Sequence, residues 1–129
     1  MNFIFNKCES LTNLDLSNFN TQNVYNMMNM VSWCSSLRNI NLSNFITQNV
    51  YNMMKMFYGC FSLAKIDLSN FNTENVRDMS GIFAWATSLI NIDLSNFNTK
   101  NVIYMSSMIS FCKALTNIDL ILIQKVLLI

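Results

Sequence analysis

Leu37-Arg38-Asn39-Ile40-Asn41-Leu42-Ser43-Asn44-Phe45 is the stretch on which the reading of this chain turns. Its opening, Leu-x-x-(Leu/Ile)-(Asp/Asn)-Leu, returns at Leu11, Leu63, Leu89 and Leu115, always 26 residues apart and without insertion. A fixed period of roughly 20 to 50 residues marks a stacked repeat array, because each unit can bury its apolar face only against its neighbours. Within the unit, Leu14-Asp15-Leu16 alternates, which points both leucines one way and Asp15 the other, as in a half-buried strand. Stacking lays equivalent strands side by side as a parallel sheet.

Ser-Asn-Phe-Asn-Thr follows, as at residues 17–21 and 69–73. Ser, Asn and Thr bond to nearby backbone and so favour turns. Asn18, Asn44, Asn70 and Asn96 form one column and Asn23, Asn49, Asn75 and Asn101 another, read as amide ladders that satisfy turn backbone. Phe19, Phe45, Phe71 and Phe97 are expected to stack inward. Val24, Met27, Met30 and Val31 are spaced i, i+3, i+6, i+7, and the same spacing recurs from Val50, Val76 and Val102. That period predicts one face of a short helix, with Thr21 or Asn23 as its N-cap.

The expected organisation is a single array over residues 1–129, about 4.5 repeats long. Residues 1–10 read as a half-repeat, since Ile4, Phe5, Cys8 and Ser10 fall in register with Met30, Val31, Cys34 and Ser36; it serves as an N-terminal cap or marks a fragment of a longer array. Residues 121–129 are a divergent apolar tail in which only Gln124 and Lys125 are polar. Three roles stay open for that tail: folding over the last coil, self-association with another chain, or the scar of a truncation. No signal peptide or anchor is expected, and no stretch reaches the roughly 20 apolar residues of a membrane span.

Composition narrows the function classes. A net charge of +1 with scattered Lys and Arg gives no footprint for nucleic acid. His is absent, which excludes Ser-His and Cys-His pairs. Cys8, Cys34, Cys60 and Cys112 share one repeat position that Ala86 fills in the remaining unit. Their spacing is the repeat length, not a metal-ligand spacing, and Ala in the set suits a column of small buried residues. Met27, Met28 and Met30 could suggest a soft-metal site, but Ser80, Ser106 and Ile82 stand at matching positions, which packing tolerates and a thioether site does not. Neither a cofactor nor a metal is expected. Trp33, Gly59, Trp85 and Phe111 occupy one variable position, readable as interface rings or as half-buried edge rings, and Tyr25, Tyr51 and Tyr104 share that ambiguity.

The unit Leu-x-x-Leu-Asp-Leu-Ser-Asn-Phe-Asn-Thr-x-Asn-Val-x-x-Met-x-x-Met-Phe-x-x-Cys-x-Ser resembles the BspA-like class of leucine-rich repeats, also known as a domain of unknown function repeated in mycoplasma surface lipoproteins. The resemblance covers roughly residues 1–120, with residues 63–88 as the best unit apart from Ala86. It implies an α/β fold, a leucine-rich-repeat solenoid with one parallel sheet and short helices on the opposite side. It also implies a cell-surface or secreted protein linked with adhesion, and it brings no catalytic residues. The resulting expectation is a non-enzymatic interaction module. Its partner would be a host or cell-surface protein held on the strand face by Asn13, Asp15, Asn39, Asn41, Lys65, Asp67, Asn91, Asp93, Asn117 and Asp119. The rival expectation is a spacer segment without a partner of its own.

Overall fold

The structure, a computed structural model, describes residues 1–116. The expected tail at 121–129, with its role in self-association, lies outside the described residues, as do Asn117 and Asp119. The expected α/β solenoid of strands and short helices is not what the chain forms. Among the described residues there is no helix, and the only strands are β1, Asn13–Asp15, and β2, Asn39–Asn41. These two pair in parallel with Asn13 opposite Asn39 and Asp15 opposite Asn41. The equivalent residues 65–67 and 91–93 form no strand.

β-turns replace the helix. In the coil of residues 37–62, successive i→i+3 bonds run from Phe45 N–H to Leu42 C=O, Val50 to Thr47, Met56 to Met53, Cys60 to Phe57 and Leu63 to Cys60, at 2.9–3.3 Å. The first and last residue of each of these turns is buried, whereas Ser43, Asn44, Gln48 and Lys55 between them are exposed. Turn corners therefore point inward every three residues. That spacing imitates one face of a helix, which is why a helical period was expected here.

Two features forbid a helix at these positions. The first is backbone sign. Asn29, Lys55, Gly81 and Ser107 share one repeat position and Trp33, Gly59, Trp85 and Phe111 another, and all eight have φ between 53° and 69°. Each is the third residue of its four-residue segment, as in a type II turn. Left-handed backbone costs a non-glycine residue roughly 1–2 kcal/mol, so a helix cannot run through it. The second is where the N–H groups go. Met53, Lys55, Phe57 and Gly59 donate to the carbonyls of Asp78, Ser80, Ile82 and Ala84 in the next coil, each at 2.9 Å. A helix would need those donors within its own segment.

Short side chains hold the corners. Asx residues accept from the backbone N–H two residues on, in up to three places per coil: Asp15 from Ser17, Asn20 from Gln22 and Asn26 from Met28, at 2.9–3.1 Å. Each stands immediately before a turn, so the coil repeats a smaller pattern, Asx-Φ-x-Asn-Φ with Φ facing inward, as Asp67-Leu68-Ser69-Asn70-Phe71 and Asn72-Thr73-Glu74-Asn75-Val76. Asn70 then donates to Leu42, Ser43 and Phe45 carbonyls of the preceding coil, and Asn96 does the same one coil on. Asn49, Asn75 and Asn101 reach back to Gln22, Gln48 and Glu74 carbonyls. The amide ladders expected from the sequence are thus present. Buried Thr47 grips the coil ahead with one hydroxyl, donating to Asn72 C=O at 2.9 Å and accepting from Asn72 N–H at 2.8 Å. Thr21 and Thr73 make the same two bonds to Ile46 and Asn98.

Between the coils runs one apolar core. Leu16, Leu42, Leu68 and Leu94 line it, with Met27, Met53, Met79 and Met105. Phe45 stacks on Phe71 at 6.3 Å and Phe57 on Phe83 at 5.6 Å, both with nearly parallel ring planes. Phe19 departs from the expected inward column: it is exposed and tilts against Phe5. No helix among the described residues is long and apolar enough to cross a membrane.

Thr47→Val keeps the shape and removes the hydroxyl, leaving Asn72 N–H and C=O unpaired. It is expected to cost about 1–3 kcal/mol, read as a lowered Tm. The far-ultraviolet circular dichroism of the intact chain is expected to lack the helical double minimum, and an unchanged Tm in the variant would show that the hydroxyl grip is idle.

Candidate functional site

The strand face carries the residues first expected to bind. Asn13, Asp15, Asn39, Asn41, Lys65, Asp67, Asn91 and Asp93 are all exposed. They are not equally free. Asp15, Asn41, Asp67 and Asp93 each accept a backbone N–H from Ser17, Ser43, Ser69 and Ser95, so their first task is to hold a turn. Asn39 donates to Asn13 Oδ1 at 2.7 Å, a rung between coils. Among the described residues, Lys65 and Asn91 take no part in either ladder. The face has a shallow dip of about 210 Å³ over Asn13, Leu14, Asp15, Asn39, Ile40 and Asn41.

The turn bonds set the charge state of these aspartates. The backbone N–H and hydroxyl of Ser17 hold Asp15 below the ordinary carboxylate value. The hydroxyl and N–H of Ser69 and of Ser95 do the same for Asp67 and Asp93. Donation to the ionised form favours it.

A second wall has more relief. Tyr25, Tyr51, Arg77 and Ile103 occupy one position in four coils and are joined rung by rung, Tyr51 N–H to Tyr25 C=O, Arg77 to Tyr51 and Ile103 to Arg77, at 2.8–2.9 Å. Tyr25, Tyr51 and Ile103 are 56%, 47% and 55% exposed, and neighbouring Tyr104 is 61% exposed. Tyr51, Arg77 and Ile103, with Asn75 and Asn101, line a groove of about 690 Å³. Sequence reasoning left Arg77 and Ile103 out. The signal was available: this position reads Tyr, Tyr, Arg, Ile, directly after the nearly invariant Asn-Val pair.

The cysteine column behaves as packing. Cys34, Cys60 and Cys112 thiols donate to Phe5, Val31 and Phe83 carbonyls at 3.0–3.3 Å. Burial pushes the Cys34 thiol up to about 11 and raises Cys60 and Cys112 as well. All four cysteines are free, and among the described residues no group of three His, Cys, Asp or Glu could hold a metal ion.

Together these features define a protein of stacked, side-chain-laddered turns that presents flat walls of changing residues. The chain belongs to the family described as Mycoplasma protein of unknown function, DUF285, whose model matches residues 1–120. No curated protein and no solved structure matches it.

Because the folded pKa of Asp67 is depressed, its contribution to stability is present above the unfolded value of 3.8 and is lost as pH falls through the lower folded value. Asp67→Asn keeps the acceptor, as Asn41 does naturally. Its Tm is therefore expected to fall less steeply below about pH 4 than that of the parent; parallel acid profiles would contradict the assignment.

Proposed function

We propose that this chain is a non-enzymatic protein-interaction module, part of a surface or secreted adhesion-type protein, and that its main contact wall is the column Tyr25, Tyr51, Arg77 and Ile103. The single observation that carries this reading is four large exposed side chains at one variable position, aligned by backbone bonds, three of them over an open groove. Tyr and Arg are the residues enriched where interfaces concentrate their binding energy. The ladder beneath them fixes the backbone, so little ordering cost is added on binding. The likeness to BspA-like repeats supports the adhesion-type setting. The strand face is the second wall of the same module, with Lys65 and Asn91 as its contacts, because Asp15, Asn41, Asp67 and Asp93 are engaged in turns and Asn39 is tied to Asn13.

Capture of a cell-surface partner on the immobilised chain tests the reading. Tyr51→Ala with Arg77→Ala is expected to weaken capture at least about tenfold, the equivalent of one modest hot spot, at unchanged Tm. Loss with Lys65→Ala and Asn91→Ala alone would move the contact to the strand face. No saturable capture by the parent chain would leave the spacer role instead.

A further inference from the structure

A third surface is assigned by neither wall. Lys55, Tyr58, Ser80, Gly81, Ala84, Trp85, Ser106, Ser107, Ser110 and Phe111 line a groove of about 340 Å³. Its floor is built from the left-handed positions. Trp85 and Phe111 have φ of 63° and 62° where the preceding coil has Gly59 at 69°. Glycine is the residue this backbone favours, so the two rings stand here against local preference. They stack face to face with centroids 4.2 Å apart and planes 18° from parallel, so each ring covers one face of the other and the platform they form is the open side of the pair. Phe111 meets Trp85 with one face and is still 56% exposed.

The rim is polar in a particular way. Among the described residues, the turn ladders use backbone groups of Ser80, Ser106, Ser107 and Ser110 and leave their hydroxyls unengaged. Each hydroxyl can both donate and accept. Lys55 supplies the only charge among the described lining residues, its Nζ 5.3 Å from the centre of the Tyr58 ring.

The geometry points to a glycan-binding groove that takes an acidic sugar unit, with a pyranose face on the Trp85–Phe111 platform, its hydroxyls on the serine rim and its carboxylate toward Lys55. A sugar ring is apolar on its C–H face and ringed by hydroxyls, which matches an aromatic floor inside a neutral polar rim. A peptide groove would instead need apolar pockets beside the rings, and a plain polyanion site would need more than one cation.

The only two tryptophans are Trp33 and Trp85, so Trp33→Phe isolates the fluorescence of Trp85. Titration of that protein with hyaluronan hexasaccharide is expected to give a saturable change in emission, with chitohexaose weaker and polyglutamate inactive. No saturable change with either sugar, or an equal response to polyglutamate, overturns the proposal; equal affinity for chitohexaose overturns its acidic preference. In the parent chain, Trp85→Gly restores the residue that the backbone favours and is expected to weaken hexasaccharide binding at least tenfold by calorimetry without lowering Tm. Binding equal to the parent overturns the platform. Should Trp85→Gly lower Tm, Ser106→Ala with Ser110→Ala decides: weakened binding at unchanged Tm supports the groove, and unchanged affinity overturns it.

Discussion

Every backbone N–H that a coil turns away from itself must find an acceptor in a neighbouring coil. Buried donors without partners are costly, and this requirement organises the molecule. Met53, Lys55, Phe57 and Gly59 hand their bonds forward, and the residues between them close turns inside the coil. Alternation of the two destinations is possible only because left-handed residues reset the chain direction twice per coil. Apolar corners then converge on one core, and each coil becomes the template for the one that follows.

Side chains complete what the backbone leaves open. The Asx acceptors cap the turns, the asparagine amides tie each turn to the coil behind, and the threonine hydroxyls tie it to the coil ahead. Gly59 illustrates how tightly these layers constrain one another. Its φ of +69° suits glycine, and a Cβ there would lie 2.8 Å from Trp33 Cε3. The indole of one coil thus occupies the space that a side chain in the next would need. Scaffold positions are consequently repetitive or swap one small or apolar residue for another, as Ala86 does for cysteine, and aromatic, charged and aliphatic residues alternate at outward positions such as Tyr51, Arg77 and Ile103.

The repeat, the buried leucine column, the phenylalanine column from Phe45 onward and the amide ladders were legible because identical letters 26 residues apart must touch in a stack. The helix was misread because Met53 and Met56, or Phe57 and Cys60, bury both ends of a β-turn, which produces the same i, i+3 spacing as a helix face. Glycine normally announces left-handed turns, yet only Gly59 and Gly81 do so here; Trp33, Lys55, Trp85 and Phe111 give no such sign. The pattern Asx-Φ-x-Asn-Φ was present in the letters and would have pointed to turns. On the candidate surface, the eight described strand-face residues lie outside, but nothing in Asp67 alone says that Ser69 already occupies it. Arg77 was missed because a variable position between constant ones looks like noise until the ladder aligns it.

These surfaces have a common origin. A stack that satisfies its backbone internally leaves its outward side chains free to change. The two proposed protein-binding walls and the aromatic groove are all built from those positions, on a frame that ordered turns hold in place.

The account rests on hydrogen bonds passed from coil to coil, and these can be observed directly as scalar couplings across hydrogen bonds in a labelled sample. The expected spectrum links the amide of Met53 to the carbonyl of Asp78 and that of Gly59 to Ala84. Couplings from residues 56–60 to carbonyls four residues earlier would instead show a helix, and the stacked-turn architecture would be wrong.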